Sequence, residues 1–147
     1  MSDGWIDANV ILRHLTQDPP EQARRAGALF AAAQQGQLTL RVDTITVAEC
    51  VWVLGSVYGH RPEQIAHALS DFVLAHGIAA DDRDLLLGAL DLYASYGVDF
   101  ADALLAARAA RTESAAVYSF DLDFDRLPGV RRIDPGRAAD ESVAPSA

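Results

Sequence analysis

Lysine is absent from this chain, so all twelve of its Lys and Arg residues are arginine. Without a lysine amine, the chain cannot form a Schiff base with a carbonyl substrate or supply the lysine of a Walker A phosphate loop. The formal net charge is −9, which argues against broad coating of nucleic acid, because such binding needs many phosphate contacts. A local rim of arginine around an acidic site remains compatible with this charge.

Cysteine occurs once, at Cys50, which excludes a disulfide within the chain and fits a reducing cytoplasm. No apolar run approaches the roughly 18 residues of a membrane-spanning helix, and residues 1–5 lack the basic and apolar regions of a signal peptide. The four histidines form no His-Glu-x-x-His pattern, so a zinc site is not expected. We therefore expect a cytoplasmic protein without a membrane partner.

Short apolar segments alternate with longer segments of helical period along the 147 residues, half of which are apolar. This alternation predicts an α/β fold with a mainly parallel sheet, built as one compact domain over residues 1–133. Residues 134–147 are rich in Pro, Gly, Ser, Asp and Glu, so we expect a flexible tail there. The predicted strands lie near residues 5 and 78 and at 38–42, 115–119 and 130–133.

Capping residues predict where two of the helices begin. Asp18 is expected to cap a helix that has Pro19 at its first position, with Glu21 completing a capping box. Asp84 is expected to cap a later helix over residues 85–96. Both helices then fall between predicted strands, as an α/β fold requires.

Four acidic residues follow or interrupt the apolar segments: Asp7, Glu49, Asp102 and Asp121. An unpaired carboxylate on a core-facing segment is costly to desolvate, so we expect these groups to share a partner. The carboxyl ends of parallel strands meet at one edge of a sheet, where such residues can collect. A hard divalent cation, Mg²⁺ or Mn²⁺, is the natural partner of converging carboxylates. The leading hypothesis is therefore metal-dependent phosphodiester chemistry.

Two of these acids have a structural alternative of comparable weight. Asp7 and Asn9 form an Asp-x-Asn sequence after a predicted strand, which is also typical of a turn in which both side chains bond to the backbone. Glu49 lies three residues after Thr46, so it can instead complete a capping box at a helix start. Metal binding and these local roles both stay open at this point.

The remaining acids divide between a structural and a functional role. Asp99 is the expected N-cap of a helix, whereas Asp102 lies in its first turn, where the helix dipole stabilises an anion that suits metal ligation. The Asp-x-Asp-x-Asp run at residues 121–125 superficially suggests a calcium-binding EF-hand loop. The glycine that such a loop needs at its sixth position is Arg126 here, so that interpretation is rejected.

Cys50 is expected to be a small buried hydrophobe rather than a nucleophile, because no histidine lies nearby in the sequence. Ser119 lacks the Gly-x-Ser-x-Gly surroundings of a hydrolase nucleophile, so we expect it to orient Asp121 or a water bound to the metal. Trp5 and Trp52 are expected to lie in the core.

Four segments, taken in order, resemble the motifs of the PIN domain, and specifically those of the VapC-type ribonuclease toxins of bacterial toxin–antitoxin pairs. The segments are residues 6–13, 47–54, 98–107 and 117–124, and the resemblance covers roughly residues 5–133. Two positions depart from the family pattern: Ala8 stands where Thr or Ser is common, and Ser119 stands where Thr is commoner. Neither departure removes a carboxylate.

The resemblance implies a three-layer α/β/α fold and an endoribonuclease that depends on Mg²⁺ or Mn²⁺. It implies an acidic quartet with two supporting polar groups: Asp7, Glu49, Asp102 and Asp121, supported by Asn9 and Ser119. Asp99 and Asp123, which lie close to these residues in the sequence, are secondary supporting candidates. Within the quartet, three Asp side chains are expected to hold the metal, and Glu49 to position or deprotonate the attacking water.

The resemblance also implies partners: an RNA substrate, a cognate antitoxin protein that reaches into the acidic pocket, and a second copy of the chain in a homodimer. Arg13, Arg108 and Arg126 are weaker candidates for contacts to RNA phosphates, because a solvated surface arginine is the commoner case. Two other functions stay open: a non-catalytic PIN-like module that binds a partner protein, and a metal-dependent phosphatase.

Overall fold

The computed structural model describes residues 3–137. Its strands are β1 (Gly4–Trp5), β2 (Leu40–Val42), β3 (Ile78–Ala80), β4 (Ala116–Tyr118) and β5 (Arg131–Ile133). Its α-helices are α1 (Ala8–Thr16), α2 (Pro20–Gln34), α3 (Thr44–Ser56), α4 (Pro62–Leu74), α5 (Arg83–Tyr96) and α6 (Phe100–Ala109). A 3₁₀ helix, Leu122–Arg126, precedes β5. The predicted tail lies outside the described residues from 138 onward, so it stays a prediction.

Every strand pair in the described part of the chain is parallel. β2 lies between β1 and β3, with Gly4 opposite Leu40 and Leu40 opposite Ile78. β4 pairs with β5 in a second hydrogen-bonded set, where Tyr118 lies opposite Ile133. Helices separate the strands along the chain, and the fold is of the three-layer α/β/α class, so the predicted fold class is confirmed.

The start of α2 differs from the prediction by one residue. The N-cap is Pro19 rather than Asp18, and Pro20 occupies the first helical position. A residue that precedes a proline is driven out of the helical region, and Pro19 is accordingly extended at φ −72° and ψ 154°. The predicted capping box is therefore wrong, and Glu21 instead accepts a 2.7 Å hydrogen bond from Arg24.

The start of α3 also differs, and the difference bears on the acidic quartet. Asp43 is the N-cap and accepts a 2.8 Å hydrogen bond from the backbone N–H of Thr46. Thr46 therefore lies inside the helix, and the predicted capping box between Thr46 and Glu49 is wrong. Glu49 lies one turn further along, with its carboxylate exposed and free of any capping bond.

The start of α5 lies two residues before the predicted one. Asp82, at φ 49°, is the N-cap, and Asp84 belongs to the first turn. Asp82 makes no capping hydrogen bond, because its carboxylate accepts two 2.8 Å hydrogen bonds from Arg111. The predicted capping role of Asp84 is therefore wrong.

The two tryptophans lie on the surface, so their predicted place in the core is wrong. Trp5 is 62 % exposed at the end of β1, which is an outer strand of its sheet. Trp52 is 67 % exposed on α3, seven residues after Ile45, which is 79 % exposed. Residues seven apart share one face of a helix, and α3 buries its other face through Val51 and Leu54.

Candidate active site

The junction of β1 and α1 fixes Asp7. The backbone N–H of Ile6 donates to the carbonyl of Arg41 at 3.0 Å, which extends the contact with β2 to the last residue before Asp7. Asp7 is the N-cap of α1, and its Oδ1 accepts a 3.2 Å hydrogen bond from the backbone N–H of Val10. Asp7 therefore bonds to the backbone as the local alternative predicts, but as a helix cap, and the Asn9 side chain makes no such bond within residues 3–137. The second carboxylate oxygen accepts no hydrogen bond from any described residue.

Cys50 connects α3 to α1 and lies close to two members of the quartet. Its side chain is fully buried, and its thiol lies 3.9 Å from the carbonyl oxygen of Ala8. Burial raises the pKa of the Cys50 thiol to about 12, and the negative charges of Glu49 and Asp7 contribute to the rise. The predicted burial of Cys50 is confirmed, and the charges of Glu49 and Asp7 are both near enough to act on its thiol.

Asp102 lies in the first turn of α6, and its side chain is half-buried. Burial raises the pKa of Asp102, and the negative charges of Asp121, Asp99 and Asp123 raise it further. The start of α6 and the segment after β4 therefore lie near enough for the charges of these acids to act on Asp102. A carboxyl group whose pKa is raised by burial and by several neighbouring acids is a candidate for a functional role.

Ser119 holds the backbone that presents Asp121. Its hydroxyl oxygen accepts a 2.9 Å hydrogen bond from the backbone N–H of Asp121, and its own N–H donates to the carbonyl of Ile133 at 3.1 Å. Arg132 donates a 3.0 Å hydrogen bond to the carbonyl oxygen of Ser119. Asp121 in turn caps the 3₁₀ helix, because its Oδ1 accepts a 2.9 Å bond from the N–H of Asp123.

The four acids predicted to form the site lie at the protein surface rather than in the core. Asp7, Glu49 and Asp121 are exposed, and no charged side chain among residues 3–137 is buried. The expectation that these carboxylates lie on core-facing segments is therefore wrong. The helices and the strand ends bury their apolar neighbours and leave the carboxylates at the solvent boundary.

The side chains of residues 3–137 include no three His, Cys, Asp or Glu groups arranged to hold a metal ion. Hydrogen bonds explain in part why these side chains do not point to a common centre, because Asp7 and Asp121 each use one carboxylate oxygen to cap a backbone N–H. A carboxylate has two oxygens with about four lone-pair sites, so a capping bond leaves an oxygen for a cation. The donor chemistry therefore fits a hard divalent cation, and binding would require the remaining oxygens to turn toward a common point.

The supporting acids differ in their contacts. Asp99 occupies the N-cap position of α6 as predicted, but its carboxylate makes no capping hydrogen bond. Asp123 accepts a 3.2 Å hydrogen bond from Arg126 and so is partly neutralised. Arg126 also donates to the carbonyl oxygen of Tyr96 at 2.9 Å. Both of these contacts of Arg126 are within the protein, which makes it a poor candidate for binding RNA phosphate.

The other two predicted arginines lie in different places. Arg108 is in the last turn of α6, six residues after Asp102, which corresponds to about 9 Å along the helix axis. The structure therefore does not bring Arg108 beside Asp102. Arg13 on α1 donates a 2.8 Å hydrogen bond to Gln22 on α2 and lines a hollow together with Asp7.

This α1–α2 hollow has a volume of about 380 Å³. Its polar lining comprises Asp7, Asn9, Arg13, Gln22 and Arg25. Sequence reasoning missed Gln22 and Arg25, although their spacing of three residues within one predicted helix indicates a shared face. No sequence pattern links that face to Asp7, which lies on the neighbouring helix.

The family model of the PIN domain matches residues 5–130. The chain belongs to the PIN-domain family. PIN domains are generally metal-dependent nucleases that bind RNA, so nuclease activity in general is implied here as well. A search among curated proteins gave no significant match. No helix within residues 3–137 of this PIN domain is long and apolar enough to cross a membrane.

Proposed function

We propose that this PIN domain is a Mg²⁺- or Mn²⁺-dependent endoribonuclease, the toxin of a toxin–antitoxin pair, and that it acts in the cytoplasm. The observation that carries the proposal is the group of carboxylates around Asp102, where Asp99, Asp121 and Asp123 oppose its ionisation. Neighbouring negative charges make it harder for Asp102 to ionise, and a bound cation would offset that cost. Membership of a nuclease family supplies the reaction class.

In this proposal the chain divides the chemistry among its carboxylates. Asp7, Asp102 and Asp121 would hold the divalent ion, and Glu49 would position or deprotonate the attacking water. A bound ion lowers the pKa of its water and stabilises the charge that develops on the phosphate. Ser119 keeps the backbone of Asp121 in place through the 2.9 Å hydrogen bond to its N–H. Asn9 lies beside Asp7 in the α1–α2 hollow, where it can contact the substrate.

A cleavage assay tests this proposal with purified protein freed of any partner. We expect the protein to cut RNA with Mg²⁺ or Mn²⁺ and not with EDTA, and we expect Asp7→Asn to lose activity by about a hundredfold or more. No metal-dependent difference between the two proteins would reject the nuclease and favour a module that binds a partner. Turnover of small phosphate esters without RNA cleavage would favour a phosphatase instead.

The toxin role predicts an effect on growth. Expression of the protein alone is expected to arrest growth, whereas Asp7→Asn at the same expression level is not, because the arrest requires cleavage. Co-expression of a protein that binds the acidic site and acts as the antitoxin is expected to restore growth. Arrest by Asp7→Asn as well would show that toxicity does not depend on the acidic site.

Homodimer formation is supported by the exposed face of α3. Ile45 and Trp52 are both more than 60 % exposed on this face, on either side of Glu49. A second copy that contacts these two apolar side chains must leave the Glu49 carboxylate open to substrate. We expect wild-type protein to sediment as a dimer and Trp52→Ser as a monomer. A wild-type monomer, or a dimer that Trp52→Ser leaves intact, would contradict this interface.

A further inference from the structure

The α1–α2 hollow has the features of a substrate subsite beside the acidic quartet. It shares Asp7 and Asn9 with the candidate active site, so a molecule bound there touches the first residues of α1. Its apolar lining comes from Val10, Ala26 and Leu29. Arg13 and Arg25 place positive charge on the same hollow from two different helices. One cavity therefore combines an apolar wall, two guanidinium groups and a member of the quartet.

Arg13 and Arg25 have no carboxylate within ion-pair distance in the described chain, and they are the two arginines that line this hollow. Arg24, next to Arg25 on α2, forms an ion pair with Glu21 at 2.7 Å, and Arg132 forms one with Asp125 at 3.1 Å. Arg25 makes no hydrogen bond or ion pair with any residue of 3–137, although its charge contributes to the lowered pKa of Glu21 behind the larger effect of Arg24. In a chain of net charge −9, such an arginine is available to an external anion.

Arg13 is held in place within the same hollow. Its Nε donates to Gln22 at 2.8 Å, and no carboxylate lies within ion-pair distance of it in the described chain. The hydrogen bond uses one of the five N–H groups of the guanidinium and leaves the others for an anion. A fixed guanidinium loses less conformational entropy on binding a phosphate than a mobile one does.

The size and lining of the hollow indicate which class of ligand it can bind. A volume of about 380 Å³ lies within the range of small-molecule sites, roughly 300–1,000 Å³, and suits one nucleotide. A nucleobase is flat and largely apolar on its faces, which matches Val10, Ala26 and Leu29. A phosphate matches Arg13 and Arg25. A base inside a duplex is stacked and paired, so it cannot enter such a hollow.

We propose that the α1–α2 hollow binds one unpaired nucleotide of the RNA, adjacent to the phosphodiester that is cut. The base packs against the apolar wall, and Arg13 and Arg25 bind a neighbouring phosphate. This inference rests on the proposed ribonuclease function and assigns Arg13 and Arg25, which line the hollow, as RNA-binding residues. Arg25 is a binding residue in this account, with no role in the chemical step.

Arg24 and Arg25 provide a matched pair of variants for the test. Both are exposed arginines on α2, so Arg24→Gln and Arg25→Gln change the net charge equally and leave the core intact. The measurement is fluorescence anisotropy with a labelled single-stranded RNA of mixed sequence, in an Asp102→Asn background that blocks cleavage. The same RNA annealed to its complement is measured in parallel.

We expect Arg25→Gln to weaken binding of the single strand by roughly tenfold, the loss of one charge-assisted contact. The slope of log affinity against log salt concentration should fall by about 0.7, the value for one phosphate contact with a single strand. Arg24→Gln is expected to change affinity by less than about twofold, because its charge is already paired with Glu21. The duplex is expected to bind more weakly than the single strand.

Several outcomes would overturn the inference. Equal RNA affinities of Arg24→Gln and Arg25→Gln would show that the hollow does not bind RNA. Equal affinities for the single strand and the duplex would show that the bound nucleotide need not be unpaired. If Arg25→Gln changes the sedimentation of the protein but not its RNA affinity, the hollow contacts another protein chain rather than RNA. Cleavage by wild-type protein is scored separately. Binding that depends on Arg25 without any cleavage would therefore support the hollow and reject the nuclease.

Discussion

Replacing Asp102 with asparagine is expected to reduce RNA cleavage by about a hundredfold or more. Asparagine has nearly the same size as aspartate, so α6 should fold unchanged while one oxygen ligand loses its charge. The measurement is the rate of cleavage of a defined RNA at saturating Mg²⁺ or Mn²⁺. The matched control is Asp91→Asn, since Asp91 is an exposed carboxylate on α5 that does not contribute to the raised pKa of Asp102.

The same substitution is expected to stabilise the metal-free protein at neutral pH. A carboxyl group with a raised pKa in the folded state is ionised more readily in the unfolded state, so its ionisation weakens the fold as pH rises. Asp102→Asn removes that effect, because asparagine does not ionise. Burial and the charges of Asp121, Asp99 and Asp123 then no longer lower the stability of the folded state. We expect its melting temperature to exceed that of wild type at pH 7, and the difference to shrink toward about pH 3, where both side chains are neutral.

Lower activity together with higher metal-free stability would mark Asp102 as a functional rather than a structural residue. Added Mg²⁺ or Mn²⁺ is expected to raise the melting temperature of wild type and to affect Asp102→Asn less, because a ligand stabilises the state that binds it. If Asp102→Asn instead lowers stability and retains activity, the carboxylate has a structural role and the proposed metal set is wrong.

Replacing Gly77 with alanine is expected to lower the free energy of unfolding by at least about 2 kcal/mol. Gly77 has φ +86°, a conformation that costs an alanine roughly 1–2 kcal/mol. A Cβ there would also overlap the backbone carbonyl of Ala33, which is fully buried at the end of α2. The turn before β3 is fixed in addition by the 2.8 Å hydrogen bond from the N–H of Leu40 to the carbonyl of Gly77. Either α2 or β3 must shift to admit the methyl group.

Gly88→Ala is the matched control for this experiment. Gly88 lies within α5, and a Cβ built on it meets no atom within 4 Å. An alanine in a helix interior is more favourable than glycine by roughly 0.5–1 kcal/mol, so we expect Gly88→Ala to stabilise the protein slightly. Urea unfolding of the three proteins measures both effects. A Gly77→Ala variant as stable as wild type would show that α2 and β3 are packed less closely than the structure has them.

The sequence predicts the order of strands and helices well, because apolar periodicity is a local property of the chain. It predicts helix starts less well where two residues compete. Asp43 and Thr46 are both good N-cap residues. Asp43 is the N-cap in the structure, because β2 ends at Val42 and the helix begins directly after it. Pro19 and Pro20 both suit a first helical turn. Pro20 is the first helical residue, because Pro19 precedes a proline and is therefore kept out of the helical conformation. These decisions depend on neighbours that a single motif does not include.

The candidate site is partly predictable for a related reason. Asp7 and Asp121 are found at strand ends as expected, but their capping hydrogen bonds depend on side-chain rotamers that the sequence does not specify. The exposure of Trp52 depends on which face of α3 meets the core, because α3 carries apolar residues on both faces. The α1–α2 hollow requires the packing of two helices, so Arg25 could not be assigned to the site from the sequence.

The location of a bound Mn²⁺ ion tests the central claim most directly. Crystals grown or soaked with Mn²⁺ give an anomalous difference signal at the ion, independent of any assumption about its ligands. We expect one or more peaks within about 2.0–2.4 Å of carboxylate oxygens from Asp7, Asp102 and Asp121, with Glu49 close enough to contact a metal-bound water. A peak bound elsewhere in protein that cuts RNA with Mn²⁺, and none at these carboxylates, would contradict the account.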